Sequence, residues 1–213
     1  MSTVSIIGLG TMARSIATRA LASGNAVELI GRDPAKTAAL AASLSGDVGG
    51  DVTTGTLGQP PLGEIVILAL PYDGSVKVVS EYGDSLSGKV IVDICNPFNR
   101  TTLTDLVTPD GSSAAQEIAA AAPGGAHVVK AFNTLFSTSI DVGQAHGRPV
   151  DVFIAGDDAD AKKAVSAFIE SLGLRPLDTG ELKTARWLEG LGLLVLGQGR
   201  RTGNYSLAVG ILD

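Results

Sequence analysis

Two glycines near the start of the chain have the spacing of a phosphate-binding turn. Residues 4–13 form a short apolar run followed by the pattern G-x-G-x-x-A. In this pattern Gly8 permits the tight turn, Gly10 lets a phosphate approach the backbone, and Ala13 allows a helix to pack closely on a strand. A pyrophosphate would then bind the free N–H groups at the N-terminus of that helix.

The surrounding pattern makes this motif more specific than the glycines alone, because glycine is common in this chain, with 27 residues. An amphipathic helix is expected to run from the turn to about Ser23, and a second apolar strand follows at residues 27–30. This order of elements is typical of a dinucleotide-binding unit. The candidate cofactor-binding residues of the turn are Gly8, Leu9, Gly10, Thr11 and Met12.

The end of the second strand indicates which dinucleotide would bind. Sites for NAD place an acidic residue here to bond the ribose 2′-hydroxyl. This chain has Gly31 at that position, followed by Arg32, and Lys36 lies one helical turn further on. Because a guanidinium pairs well with a 2′-phosphate, the sequence predicts NADP(H). The alternative is a solvated corner in which Asp33 merely caps the next helix.

Three later strands end on residues suited to the wall of a ligand site. Ligands of parallel α/β sheets bind beyond the carboxyl ends of the strands, so these residues should face one crevice. Each set alone would also suit an ordinary turn. The candidates are Leu70, Pro71 and Tyr72, then Asn96 and Pro97, and finally Ala131, Asn133 and Thr134.

No side chain stands out as a proton-transfer group, and we assign no catalytic residue. The two histidines are His127, at the start of a predicted strand, and His146, in a predicted loop. Cys95 has no evident histidine partner and is expected to be a small buried filler. We also expect no metal site. Hydride exchange between two cofactors needs mainly ring alignment, whereas ketone reduction needs a proton donor, so the sequence favours the former.

Alternating strand and helix patterns predict an α/β fold, namely a Rossmann-like, doubly wound, mostly parallel sheet with a small C-terminal α/β extension. We assign residues 1–134 to an NADP-binding domain and residues 135–213 to the extension, which closes the acceptor site; the alternative is that the two form one compact unit. Residues 133–149 have an irregular pattern. A last helix is predicted at residues 181–196, with Trp187 on its apolar side. We expect Trp187 to pack on the chain's own sheet, with burial against a partner subunit as the alternative.

Charge and composition exclude several classes of partner. The net charge is −6 and the hydrophobic fraction is 45%. An acidic chain is poorly suited to nucleic acid or to an anionic membrane surface. The apolar run at residues 191–196 is too short to span a bilayer. With a single cysteine and no evident leader before the first strand, we expect a cytoplasmic protein.

Several segments spread over most of the chain resemble the NADPH-dependent F-420 reductases, also called F-420H2:NADP+ oxidoreductases. The last two segments are more specific than the glycine motif, because they lie outside generic nucleotide binding. The segments are Ile7-Gly8-Leu9-Gly10-Thr11-Met12, Gly31-Arg32-Asp33, Ala69-Leu70-Pro71-Tyr72, Val129-Lys130-Ala131-Phe132-Asn133-Thr134, Ala155-Gly156-Asp157-Asp158 and Gly173-Leu174-Arg175-Pro176-Leu177-Asp178-Thr179-Gly180.

The resemblance implies a homodimer that shuttles a hydride between C4 of the nicotinamide and C5 of the deazaflavin coenzyme F-420. It places NADP(H) across residues 8–12, with the 2′-phosphate near Arg32 and Lys36. It also places the nicotinamide near Leu70, Pro71 and Asn96. The deazaflavin would stack near the residues from Ala131 to Leu135 and near the last helix.

Two alternatives stay open. The chain could be an NADPH-dependent reductase of another acceptor, such as a flavin, a quinone, an imine or a carbonyl. It could also be a non-enzymatic NADP(H)-binding module, which would bind the nucleotide without turnover. An acceptor panel distinguishes these two from the F-420 reductase.

Overall fold

The computed structural model describes residues 3–212. The strands in this range are β1 (Thr3–Ile7), β2 (Ala26–Gly31), β3 (Val52–Thr56), β4 (Ile65–Leu68), β5 (Val90–Asp93), β6 (His127–Lys130), β7 (Gln144–Ala145), β8 (Arg148–Pro149), β9 (Asp151–Gly156) and β10 (Arg175–Asp178). The α-helices are α1 (Thr11–Ala22), α2 (Pro34–Asp47), α3 (Tyr72–Tyr82), α4 (Ala114–Ala121), α5 (Ser137–Val142), α6 (Ala159–Ser171) and α7 (Ala185–Thr202).

One twisted sheet in the order β3-β2-β1-β4-β5-β6-β9-β10 organises the molecule. Strands β1 to β6 are all parallel, β9 runs antiparallel to β6, and β10 is parallel to β9. The direction of winding reverses between β1 and β4, which is where open α/β sheets bind their ligands. The predicted fold class, a Rossmann-like doubly wound sheet with an α/β extension, is confirmed.

Helices cover both faces of the sheet because its central strands are apolar on both sides. Every residue of β4 is buried, as parallel strands with two covered faces require. One apolar layer packs against α1, α2 and α6, and the other packs against α3, α4 and α7. Since β9 and β10 extend the same sheet, the extension is continuous with the nucleotide-binding half. The proposed domain boundary stays a prediction, and its outer ends, residues 1 and 213, lie outside the described residues.

The C-terminal third differs from expectation in three respects. Residues 133–149, predicted to be irregular, contain α5 and the small β7–β8 hairpin. The last helix begins at Ala185 after a 3-10 turn and continues to Thr202. The expectation that Trp187 packs on the sheet is wrong, because this side chain is 68% exposed. Helix α7 instead turns a face with Leu188, Gly192 and Val195 toward the protein.

After α7 the chain continues without regular secondary structure past α5 and β9. The carbonyls of Tyr205 and Leu207 accept hydrogen bonds from the hydroxyls of Thr138 and Ser139. Further on, the N–H of Ile211 donates to Asp151 at 2.8 Å. This C-terminal segment, residues 203–212, therefore ties the end of the chain to the sheet. Across residues 3–212, no helix combines the length and apolar character needed to cross a membrane.

Candidate functional site

The turn after β1, which we call the glycine turn (residues 8–13), depends on glycine at its first position. Gly8 has a φ of +122°, and a Cβ there would lie 2.3 Å from the carbonyl oxygen of Ala69. Its N–H donates to Ile30 across the sheet. A Cβ at Gly10, by contrast, would meet no atom within 4 Å. Space at Gly10 therefore lies open on the ligand side, as the approach of a phosphate to the backbone requires.

The N-terminus of α1 has no side-chain cap among the residues that the structure describes, so its first N–H groups have no side-chain acceptor there. Its first turn also carries no acidic residue. Helix α2 differs, because the carboxylate of Asp33 accepts from the N–H groups of Ala35 and Lys36. Since free N–H groups and the helix dipole favour an anion, the N-terminus of α1 fits a pyrophosphate.

The end of β2 is shaped to exclude an acidic side chain and to offer a cation. A Cβ at Gly31 would lie 2.4 Å from the Thr37 hydroxyl and 2.7 Å from Leu9, so a larger side chain has no room. Arg32 is exposed, and within residues 3–212 its side chain forms no hydrogen bond or ion pair. Lys36 is also exposed, with its ammonium 3.8 Å from Asp33. Arg32 is therefore free to meet a 2′-phosphate, and the exposed Lys36 adds positive charge to this end of β2.

A cleft of about 220 Å³, here called the inner cleft, lies between the glycine turn and α7. It brings together several residues predicted from the sequence, namely Thr11, Met12, Asn96, Asn133, Thr134 and Leu135. It also includes residues that were not predicted, namely Phe98, Phe136, Ser137, Gly192, Val195 and Leu196. The last three come from α7, whose position no local pattern specifies.

Other predicted residues lie outside the lining of the inner cleft. Pro71 is exposed at the start of α3, and Leu70 and Tyr72 beside it are half-buried. Burial, with nearby carboxylates, raises the pKa of Tyr72, so its phenol stays protonated at neutral pH. Pro97 is buried, and Ala131 is fully buried and offers no surface to a ring. Binding roles for these residues, as for Gly8, Leu9, Gly10, Arg32 and Lys36, stay predictions.

Beneath the inner cleft lies a buried ionic cluster that sequence reasoning missed. The Lys130 ammonium donates to Asp93 at 2.7 Å, to Glu189 at 2.8 Å and to the carbonyl of Cys95 at 2.7 Å. All three charged side chains are 0% exposed. Burial alone would lower the pKa of Lys130, but the carboxylates, chiefly Asp93, raise it above its ordinary value and keep the ammonium charged.

This cluster fastens α7 to the carboxyl ends of β5 and β6. Glu189, on α7, also accepts from the N–H groups of Ala114 and Ala115 at the start of α4. A signal was present in the sequence, because Lys130 and Asp93 each end an apolar buried strand and face one another in register. Two opposite charges at the ends of neighbouring buried strands indicate a buried ion pair. The sequence around Glu189, their partner on α7, has no comparable pattern.

Two asparagines join the strand ends to α7 above this cluster. Asn133 donates to the side-chain oxygen of Asn96 at 2.9 Å and to the carbonyl of Leu188 at 2.9 Å. Asn96 in turn donates to the backbone carbonyl of Asn133 at 2.7 Å. Gly192 lies against them, since a Cβ there would be 2.8 Å from the Asn96 oxygen. Helix α7 therefore comes close to the strand ends only because residue 192 lacks a side chain.

Cys95 is a small buried residue, as the sequence predicts. It is 5% exposed, and burial together with Asp93 raises its pKa well above the ordinary value, so it is a thiol rather than a nucleophilic thiolate.

Over the part of the chain that the structure describes, no group of three His, Cys, Asp or Glu side chains could hold a metal ion.

Comparison with known proteins finds a matching family model and relatives that are reductases. Residues 3–97 match the family model described as NADP oxidoreductase, coenzyme F-420-dependent. An F-420-dependent NADP reductase from Methanocaldococcus jannaschii is 31% identical over 143 residues, covering 63% of this chain and 61% of the relative. The metalloreductase STEAP3 of Rattus norvegicus is 33% identical over 195 residues, covering 91% of this chain and 37% of the relative.

The solved structures include one that matches throughout. A proposed F-420-dependent NADP reductase from Arthrobacter sp. superposes with a TM-score of 0.87 at 25% identity, and the match covers 100% of both chains. The chain spans less than two thirds of both curated relatives, at 61% and 37% of their lengths. These findings agree with the resemblance found in the sequence: residues 3–97 match the model of the coenzyme F-420-dependent NADP oxidoreductases, and the chain is similar to an F-420-dependent NADP reductase and to a solved structure of that description.

Proposed function

We propose that this protein transfers a hydride between NADP(H) and coenzyme F-420. The observation that carries the proposal is that the predicted phosphate site and the inner cleft share the glycine turn. An uncapped helix N-terminus with an unpaired Arg32 beside it fits the phosphates of NADP(H). The inner cleft begins at Thr11 and Met12 of the same turn and continues to α7, where two planar rings could lie.

When bound, NADPH supplies the hydride and F-420 accepts it. The chain's own residues then have the tasks of holding the phosphates, orienting the rings and excluding water. The polar groups at the inner cleft are amides and hydroxyls, which suit the orientation of rings better than proton transfer at neutral pH. Alignment of two rings in a fixed geometry lowers the barrier by removing the entropic cost of their encounter.

The direct test is to mix purified protein with NADPH and F-420 and to follow the loss of the deazaflavin absorbance. We expect turnover with NADPH and a much lower kcat/KM with NADH, because only the former carries the 2′-phosphate. NADPH binding with no change in F-420 at any protein concentration would contradict the proposed acceptor.

A second candidate function is reduction of another acceptor by NADPH. The similarity to a metalloreductase over 91% of this chain favours this candidate. A panel of free flavin, quinone, imine, carbonyl and ferric chelate distinguishes the two, since activity with one of these and none with F-420 would select it. Tight nucleotide binding without turnover of any acceptor would instead support a non-enzymatic NADP(H)-binding module.

We also propose that the protein is a homodimer that uses the outer face of α7. Trp187 and Leu194 on α7 are 68% and 72% exposed. Leu194 also lines a larger groove of about 640 Å³ between α7 and the C-terminal segment. Large exposed side chains of this kind are typical of association surfaces. Light scattering should give twice the monomer mass, and Leu194→Glu should halve it. The cytoplasmic location stays a further part of this proposal.

A further inference from the structure

One buried acceptor atom, on a residue that lines the inner cleft, lacks a hydrogen-bond partner. Among residues 3–212, Asn133 Oδ1 is the one buried side-chain nitrogen or oxygen without a hydrogen bond. The residue is 4% exposed and contributes to the wall of the inner cleft. Buried polar atoms are nearly always hydrogen-bonded in folded proteins, so an exception needs an explanation.

The Asn133 amide cannot turn to remove this exception. Its nitrogen donates to two acceptors, the side-chain oxygen of Asn96 and the carbonyl of Leu188, both at 2.9 Å. If the amide were flipped, its oxygen would face two oxygens and both hydrogen bonds would be lost. The orientation is therefore set by a helix, α7, that belongs to a different part of the chain.

The backbone before Asn133 is also held in an unusual conformation. Phe132 is fully buried and has a φ of +60°, in the left-handed region that aromatic side chains rarely adopt. Such strain is tolerated where the surrounding structure enforces it, and it is concentrated at ligand sites. It directs the chain out of β6 so that Asn133 reaches the inner cleft and Leu188 together.

We infer that Asn133 Oδ1 is the acceptor for an amide-type N–H on a conjugated ring bound in the inner cleft. This inference rests on the proposed function and identifies how the ring is recognised. Two sources carry this chemistry: the carboxamide of nicotinamide, and the imide N–H of the pyrimidinedione shared by deazaflavins and flavins. A ligand N–H would complete the amide's hydrogen bonding and would fix the rotation of the ring in its plane.

The test compares ligands that differ only at this N–H. The first pair is NADP+ and its 3-acetylpyridine analogue, in which a methyl replaces the amide nitrogen. The second pair is F-420 and a derivative methylated at the imide nitrogen, each measured by equilibrium titration. We expect the wild type to bind one of the two modified ligands about tenfold more weakly than its parent, and the affected pair identifies the source.

Variants at Asn133 then show whether this residue causes the discrimination. In Asn133→Ala the ratio of the affinities for the parent and the modified ligand should fall from about ten to about one. The same fall is expected in Asn133→Val. Since valine leaves less room than alanine for the added methyl of the modified ligand, a fall in both variants excludes extra space as its cause. Using the ratio within each variant cancels any general weakening. Asn25→Ala is the matched control, because Asn25 is also a buried amide but bonds Ser171 away from the cleft, and it should keep the wild-type ratio.

Outcomes separate this inference from the function on which it rests. If NADPH does not bind, the proposed function fails and the inference fails with it. If NADPH and F-420 bind and react while the wild type distinguishes neither modified ligand, the function stands and the inference is wrong. A ratio that persists in either folded Asn133 variant would also overturn it. If neither variant folds, a wild type that distinguishes neither modified ligand still overturns the inference.

Discussion

At the glycine turn the backbone itself forms the proposed phosphate site, whereas at the inner cleft side chains from three distant parts of the chain have to meet. The turn needs one left-handed glycine, one open glycine and an uncapped helix, all within residues 8–13. The inner cleft needs the ends of β5 and β6, the start of α5 and the inward face of α7. The two regions are neighbours in space but differ in how far along the sequence their parts lie.

This difference has an energetic counterpart. At the turn, a substitution acts on a few atoms, and its effect on nucleotide binding can be separated from its effect on folding. At the inner cleft, α7 is positioned by the buried Lys130 cluster and by the asparagine pair, so a substitution there alters folding and ligand recognition together. The comparison predicts which variants will fold and bind poorly, and which will fold well and bind poorly.

The largest expected effect is that of Lys130→Met. Removing the ammonium leaves Asp93 and Glu189 as buried carboxylates without their shared cation. We expect the free energy of unfolding to fall by about 3–5 kcal/mol, as measured by urea denaturation. Lys77→Met is the matched control, because Lys77 forms only an exposed pair with Glu81 at 3.7 Å, and it should change stability by less than about 0.5 kcal/mol. A loss below about 1 kcal/mol at Lys130 would contradict the anchoring role of the cluster.

The glycine turn offers a contrasting pair of variants. Gly8→Ala places a Cβ 2.3 Å from a backbone oxygen at a φ of +122°, so we expect a loss of about 3 kcal/mol in stability. Gly10→Ala meets no protein atom and should cost no more than about 1 kcal/mol. It should nevertheless weaken NADPH binding clearly, since the new methyl occupies the space of the phosphate. Unchanged NADPH affinity in Gly10→Ala would place the phosphate elsewhere.

Arg32→Ala tests the chemistry of the turn without touching the fold. Its side chain is exposed and, within the described residues, unpaired, so stability should change little. Loss of a charge-assisted bond to the 2′-phosphate should weaken NADPH binding by about 10- to 100-fold and leave NADH binding unchanged. Isothermal titration calorimetry with NADPH and with NADH measures the ratio of the two affinities. If Arg32 has another role, this ratio would stay as in the wild type.

The smallest expected effect is a local loss of stability in the C-terminal segment at low pH. Hydrogen bonds from Arg175 lower the pKa of Asp151, and the N–H of Ile211 adds to this. A carboxyl whose pKa is depressed on folding contributes stability above its unfolded pKa of about 3.9, and this contribution is lost as the pH falls through the folded pKa. Below about pH 4, the protection factors for hydrogen exchange should fall by about tenfold in residues 203–212, while those of residues 8–13 stay unchanged. Asp151→Asn should show the same fall at neutral pH, and no fall in either case would contradict the account.

The two regions also differ in what could be predicted from the sequence. Gly8, Gly10 and Arg32 could be selected from the sequence because their predicted roles depend on neighbours a few positions away. The alternation of strands and helices predicted the sheet. Glu189 and Gly192 were missed because their roles arise from contacts with residues some 60 to 100 positions earlier, such as Lys130 and Asn96. Trp187 was misplaced for the same reason, since the period of an apolar helix does not tell which of two faces meets the protein.

Hydrogen exchange of the amides with two ligands tests the central claim most directly, namely that one dinucleotide extends from the glycine turn into the inner cleft. Adenosine 2′,5′-bisphosphate, which has no nicotinamide, should protect residues 8–13 and the region of Arg32 alone. NADPH should protect the same residues and also residues 133–137 and the inward face of α7. If NADPH protects the turn but leaves residues 133–137 and α7 as in the free protein, the nicotinamide lies elsewhere and the account is wrong.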